Sequence, residues 1–345
     1  MKRTEENYNI AAIDDGYGRV KYDGSGSPDL IPSFVTPFQP KPKDDFTDNK
    51  NLRYISAEVD GERFLVGDYA AKLDPNIRWE SADHKHSTPN FPILLKTALG
   101  MMCSGTESVV DMLMMNLPLK FDTPERRFDL VRQAMGTHRV GISTDGIYYV
   151  QKTITVENVD IKKQPFGSLC DIMLDDNGEI INMDIAKGFN VLVDVGARTL
   201  NILTVDALEE QQSLSRQDNQ GLYSSYLQVG KYLEEELNAP IPDGKLPAVI
   251  QSKEIKGRDI SPLLDRVFDN HANNIIATLN TVLINSFAFV NNIIYTGGGA
   301  EALKPYLEGK IQGVNTIFLG SYSNVRGLRK YGIRQSRKGT KKGGR

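Results

Sequence analysis

Short apolar runs bounded by glycine turns alternate along this chain with longer segments whose apolar residues recur at helical spacing. "NIAAIDDGYGRVKYDG" predicts a strand at Ile10 to Ile13, a tight turn at Gly16 and Gly18, and a returning strand at "VKY", together a hairpin. "GSGSPDLIPSFVTPFQPKPKDD" holds too many prolines and glycines for a regular element. "ERFLVG" predicts a short strand. The Leu- and Met-rich stretch Ile93 to Met115 predicts a helix, with Pro92 in its first turn and "VVDMLMMNLPL" carrying it into a strand. Thr123, Pro124 and Glu125 open another helix. "GIYYVQKTITVENVDIKKQ" alternates as two strands, "PFGSLCDIML" starts a helix, and "DDNGEI" is a turn. "GFNVLVDVGARTLNILTVD" predicts a second hairpin, followed by a helix from Leu222 to Leu237 and a loop at "LNAPIPDGKLP". Leu263, Leu264, Val267, Phe268, Ile275, Ile276, Leu279 and Leu283 mark one or two amphipathic helices. "NNIIYT" is a strand that enters Gly297, Gly298 and Gly299, "AEALKPYL" is the helix beyond, and "NTIFLG" is a final strand. Strands and helices that alternate in this way belong to the α/β class.

Apolar strand, Asp, any residue, Gly occurs twice, at Asp14 and at Asp194, which suggests a duplicated architecture. A chain of 345 residues, 40% hydrophobic and 25% charged, is long enough for two domains with cores of their own. No uncharged apolar stretch is long enough to span a membrane, and "MKRTEENYNI" lacks the apolar core of a secretory signal. Cys103 and Cys170 have no metal-ligand spacing, which points to a reducing, cytoplasmic setting. Among the four histidines, the pair in "DHKH" could grip a metal but reads more readily as solvent-exposed. The net charge of -3 hides an asymmetry: Arg326 to Arg345 carries nine Lys or Arg and no acid, leaving 32 basic against 44 acidic residues elsewhere. Its last stretch, "RQSRKGTKKGGR", is nearly devoid of apolar side chains, so residues 326–345 are expected to be a disordered tail.

The two hairpins carry the candidate chemistry. A turn built on Gly16 and Gly18 exposes N–H groups that can cradle phosphate oxygens, with Lys21 adding a point charge. Asp14 cannot favourably touch phosphate, but it fits if Mg2+ or its water shell lies between, and the same holds for Asp194 beside Gly196. Either hairpin alone reads as an ordinary β-turn, which Asp and Gly favour anyway. Both together with the triple glycine read as a Mg-nucleotide clamp. The glycines form neither a Walker A loop nor a dinucleotide fingerprint.

"IDDGYGRVKY", "VLVDVGARTLNILTVD" and "IIYTGGGAEAL" occur in the order and spacing of the actin-like ATPase superfamily. They resemble its first phosphate loop, second phosphate loop and adenosine motif. "QPFGSLCDIMLDDNGEI" resembles the connecting segment of bacterial and archaeal actin-like proteins, especially the ParM/StbA plasmid-segregation group. The resemblance implies an actin-like α/β fold of two ribonuclease-H-like domains with a nucleotide cleft between them. The domains would span 8–160, with a return of the C-terminal helix near 300–325, and 161–325. It implies ATP and Mg2+ as cofactors. Asp14 and Asp194 would be the metal-shell carboxylates, acting mostly through water. Asp15, Gly16, Tyr17, Gly18 and Lys21 would form the first phosphate site. Gly196, Ala197, Arg198 and Thr199 would form the second, and Gly297, Gly298 and Gly299 would lie under the nucleotide. Gln164 matches the residue that positions the attacking water. Ala197 and Arg198 depart from the family's glycine or small polar residues, which puts the phosphate grip at that loop in question. The implied function is slow ATP hydrolysis coupled to polymerisation in plasmid or other DNA segregation. The implied partners are further copies of the chain, a DNA-bound adaptor protein and, through the basic tail, DNA itself, with no membrane. The alternatives are a non-polymerising ATP-binding scaffold and a small-molecule kinase on the same fold, for which no motif nominates an acceptor-site Asp.

Overall fold

Ile10, Ala11, Ala12 and Ile13 are all buried, so the first strand is a central strand covered on both faces rather than an alternating one. The computed structural model describes residues 9–41, 52–74, 77, 80 and 82–342, with backbone alone for 338–342. The chain divides into two units. The first comprises residues 1–116, 123–162 and 332–345, and the second comprises 117–122 and 163–331.

In the first unit, β1 (Ile10–Asp15), β2 (Arg19–Asp23), β3 (Asp29–Pro32), β8 (Met112–Leu117) and β11 (Val159–Lys163) form a sheet of order β11-β8-β1-β2-β3. Within it β1–β2 and β2–β3 are antiparallel and β1–β8 is parallel. A second sheet, in the order β4-β6-β5-β9-β10-β7, joins β4 (Val35–Pro37), β5 (Ile55–Val59), β6 (Glu62–Val66), β7 (Glu107–Val110), β9 (Gly136–Ser143) and β10 (Val150–Val156). The helices are α1 (Asp68–Leu73), α2 (Asn90–Met102) and α3 (Pro124–Ala134); Thr123 caps α3 by accepting the Arg126 N–H.

The second unit repeats the first sheet. β12 (Phe189–Val195), β13 (Leu200–Asp206), β14 (Glu209–Glu210), β18 (Asn292–Thr296) and β19 (Asn315–Phe318) run in the order β14-β13-β12-β18-β19, with β15 (Arg216–Asp218) also on β13. Here too the first two strands pair antiparallel, and the fourth joins the first in parallel. β16 (Glu254–Ile255) and β17 (Arg258–Asp259) make a small ribbon. The helices are α4 (Phe166–Met173), α5 (Met183–Lys187), α6 (Tyr223–Leu237), α7 (Leu246–Ser252), α8 (Ser261–Leu283), α9 (Gly297–Leu307) and α10 (Ser323–Lys342). α8 is one helix. Its buried residues Leu264, Val267, Phe268, His271, Ala272, Ile275, Leu279 and Leu283 follow a single three-to-four stripe. The core on which α4 sits joins Leu169, Cys170 and Met173 to Leu192, Leu203 and Ile294 of the sheet. Each such aliphatic side chain contributes about 1.5–3 kcal/mol by leaving water.

Four expectations need correction. The Pro-rich stretch after Gly24 contains β3 and β4. Both lie at sheet edges, where a missing proline N–H costs no ladder bond; residues 42–45 of that stretch lie outside the described residues. The helix expected at Ile93 to Met115 ends at Met102, and the Met-rich run is β8, buried at Leu113, Met114 and Met115. β5, β9, β14 to β17, α1, α5 and α7 had no expectation.

The third correction concerns the tail expected to be disordered from Arg326, where α10 runs to Lys342 instead. Val325 and Leu328 are fully buried, one helical turn apart. Gly167 and Gly327 let α4 and α10 touch backbone to backbone. Arg326 and Lys330 bond the Asp171 carboxylate at 2.7 and 3.0 Å. Charge counting missed the apolar stripe under the basic residues. Residues 343–345 lie outside the described residues. The fourth correction follows from α10: the C-terminal return to the first unit begins at Gly332, not near 300–325.

Candidate functional site

The first turn hangs between β1 and β2, with Asp14 opposite Lys21 in the antiparallel register. Asp14 is buried; its Oδ2 lies 3.3 Å from the Lys21 ammonium, and its Oδ1 accepts from Asn116 Nδ2 at 3.0 Å. Gly16 N–H closes the turn on the Asp14 carbonyl. Asp15 faces elsewhere: its carboxylate meets Lys85 Nζ at 2.5 Å and His86 Nε2 at 3.4 Å. Burial pushes the Asp15 carboxyl up, but Lys85 and His86 outweigh it and hold the group below the usual carboxylate range. Tyr17 is buried and donates its hydroxyl to the Ala82 carbonyl at 3.2 Å.

"DHKH" is therefore not simply a solvent-exposed loop. His84 is exposed and meets Arg126, but Lys85 is buried against the first turn and His86 packs edge-on to Phe91. Among the described residues no group of three or more His, Cys, Asp or Glu is placed to hold a metal ion.

The second turn hangs between β12 and β13. Gly196 N–H closes it on the Thr199 carbonyl at 2.9 Å. Backbone groups hold it from outside. Gly221 N–H donates to the Arg198 carbonyl, Leu222 N–H to Gly196 and Tyr223 N–H to Ala197, at 2.8–3.0 Å. A Cβ on Gly221 would collide with the backbone of Ala197 and Arg198. Behind this segment, His271 bonds the Gln220 carbonyl through Nε2 and the Ser225 hydroxyl through Nδ1.

The three glycines serve two purposes. Gly297 has φ +89°, and its absent side chain leaves room for the Asp194 carboxylate and the Val195 carbonyl. A Cβ at Gly299 would lie 2.6 Å from the Val195 carbonyl oxygen. Only close packing satisfies these two, and it sets the start of α9 beside Asp194. Gly298 alone has open space above it. The Thr296 hydroxyl makes no cap; it bonds Ser168 and Ser323 at 2.7 Å each. The first N–H groups of α9 thus have no side-chain cap, the arrangement that suits a phosphate or another anion.

Gln164 is buried between Leu117, whose carbonyl accepts its N–H, and Asn201, whose Nδ2 reaches its Oε1 at 3.5 Å. Asn201 is the cross-strand partner of Asp194 and also donates to the Thr199 hydroxyl at 3.3 Å. The second unit therefore brings Gln164 and the Thr199 end of the turn to one buried amide, and packs Gly297 and Gly299 on Asp194 and Val195. The first unit gathers Asp14, Asp15, Gly16, Tyr17 and Lys21.

Comparison with known proteins matches residues 12–167 to the N-terminal domain of actin-like proteins, and residues 192–309 to the C-terminal part of the archaeal, MreB-like actin homologue. The chain belongs to the actin-like superfamily. The "Archaeal actin homolog" of Thermoplasma acidophilum is 22% identical over 306 residues, 85% of this chain and 88% of that protein. The homolog of Thermoplasma volcanium matches to the same extent. A 15-stranded ParM filament from Clostridium botulinum superposes with a TM-score of 0.75 at 18% identity, over 94% of this chain and 99% of that one. An archaeal actin homolog in complex with ADP gives 0.73 at 17% identity, over 96% and 99%. These likenesses establish the actin-like fold with its two sheet-containing lobes.

In this actin-like chain, Lys85, Asn116, Asn201 and Gly221 escaped the sequence reading, and His86 was read only as one of a histidine pair. Lys85 in the midst of "DHKH" was the one visible signal, because a lysine between histidines need not be solvent-exposed. Asn116, Asn201 and Gly221 are recognisable only from what they touch. No helix among the described residues is long and apolar enough to cross a membrane.

Proposed function

We propose that this chain is a filament-forming ATPase that moves or positions DNA, in the manner of the ParM/StbA plasmid-segregation group. One observation carries the reading: the same strand, Asp, glycine turn and strand occupy the same place in two sheets of the same order. Each lobe is read as ribonuclease-H-like, and both turns as acting on one Mg-nucleotide. An archaeal actin homolog in complex with ADP and a ParM filament, both similar in fold, support that reading.

The residues fit such a ligand. Buried Asp14 and Asp194 suit the water shell of Mg2+, and the open backbone at Gly298 suits close approach of a nucleotide. Bound Mg2+ would supply charge neutralisation on the phosphates. Lys21 adds a cation beside Asp14. Gln164 can donate and accept hydrogen bonds, but an amide is too weak a base to take a proton. It orients water, and turnover is slow. Ala197 and Arg198 give carbonyls to the 221–223 segment, so the turn keeps its shape despite departing from the family's glycines. Head-to-tail contacts between copies extend without closing. The cytoplasm is the proposed setting and a DNA-bound adaptor the proposed partner. DNA itself is a second proposed contact, through the basic C-terminal stretch.

Light scattering, phosphate release and negative-stain microscopy with ATP, ADP or neither test the proposal. Filaments with Mg-ATP and slow phosphate release are expected. Intact ATP and no assembly over hours would overturn it.

A further inference from the structure

The Gly16 carbonyl has two lone pairs, and both are taken. Lys85 Nζ donates to it at 2.6 Å and Ser33 Oγ at 3.0 Å. Lys85 is almost wholly buried, at 3% exposure, and its charge is balanced by Asp15 Oδ1 at 2.5 Å. It is carried by a single 3-10 turn, Lys85–Ser87, whose neighbours also grip the first loop: Ala82 through the Tyr17 hydroxyl and His86 through Asp15. α3 backs that segment, with Gln133 donating to the His86 carbonyl and Arg126 to the Asp83 carbonyl.

In a trans peptide the C=O and N–H point opposite ways. A cation fixed on the Gly16 carbonyl therefore fixes the Tyr17 N–H on the other side of the turn. It also polarises that amide into a stronger donor. Because Asp15 cancels the charge at short range, Lys85 is a poor attractor for a distant anion, and Lys21 is better suited to that task.

We propose that Lys85 is a positioning residue for the first phosphate turn, holding the Gly16–Tyr17 peptide so that its N–H is set toward a nucleotide phosphate. This rests on the nucleotide reading above and adds to it a residue outside every glycine motif.

The test is calorimetric titration of Mg-ADP into the full chain and its variants, with thermal midpoints measured alongside. Lys85→Met is expected to weaken binding about tenfold, the scale of one hydrogen bond to a charged group. It also strands the Asp15 charge and risks misfolding. Asp15→Asn combined with Lys85→Met removes both charges. It should recover stability and stay about tenfold weaker. Val140→Ala opens a cavity in the β9 core, outside that cluster, so it should lower the midpoint and leave affinity near wild type. Affinity that follows Lys85, and not stability, supports the positioning role. Affinity that returns with stability in the double variant overturns it and leaves the nucleotide reading intact. A wild-type chain with no affinity for Mg-ADP overturns both.

Discussion

The two glycine turns have the same sequence logic and are held in different ways. The first is gripped by side chains: Lys85 and Ser33 on the Gly16 carbonyl, with Asp15 and His86 closing a buried ion cluster. The second is gripped by backbone, with three N–H groups of residues 221–223 laid on the carbonyls of Gly196, Ala197 and Arg198. The contrast teaches that an Asp-x-Gly turn does not keep its shape by itself. It needs an outside clamp, and the clamp is free to differ where the turn does not. A side-chain clamp is sensitive to charge. A backbone clamp accommodates the unusual Ala197 and Arg198 because it bonds their carbonyls.

The largest expected effect separates the clamps by charge. Lys85→Met leaves Asp15 buried and unpaired apart from His86, and should cost about 3–5 kcal/mol in urea unfolding. Ala197→Ser, within the second turn, should cost far less, because the clamp there bonds the Ala197 carbonyl. Equal costs would erase the distinction.

Next comes volume. Gly221→Ala pushes a Cβ into the Ala197–Arg198 backbone and should destabilise by about 1–3 kcal/mol, with loss of second-turn order seen by hydrogen exchange. Gly298→Ala meets open space. It should raise the midpoint slightly, by the ~0.5–1 kcal/mol that alanine gains over glycine in a helix, while weakening nucleotide binding. A gain in both would remove Gly298 from the site.

The smallest effect is on pH. Burial holds His271, behind the second clamp, below its ordinary value, against the pull of the Gln220 carbonyl. The folded protein takes up a proton there less readily than the unfolded chain, which does so near pH 6.5. Its contribution is complete above that pH and is lost as pH falls. His138, in the first unit, is depressed by burial in the same direction. Urea midpoints should drop between pH 7.5 and 5.5, by at most about 1.4 kcal/mol per pH unit per histidine. The slope should shrink in His271→Gln.

The hairpins and the glycine helix entry were legible because their chemistry is local. Asp, Gly and flanking apolar residues write the turn where it forms. α2 and β8 were merged because a Leu- and Met-rich run carries no clear period, and burial on both faces removes the alternation that marks a strand. β3 and β4 were hidden because proline warns against a strand without saying whether the strand lies at an edge. α10 was lost under its charges, although Val325 and Leu328 were spaced for a helix. In the site, Lys85 reaches Gly16 across 69 residues and Asn201 reaches Gln164 across 37. The residues beside each in the chain do not name its partner.

The most direct measurement is titration of Mg-ATP, with and without magnesium, into wild type, Asp14→Ala and Asp194→Ala. The account expects one magnesium-dependent site in the wild type, weakened by each substitution between about 10- and 100-fold. Binding that ignores either carboxylate, or a folded wild type that takes up no Mg-ATP, would contradict it.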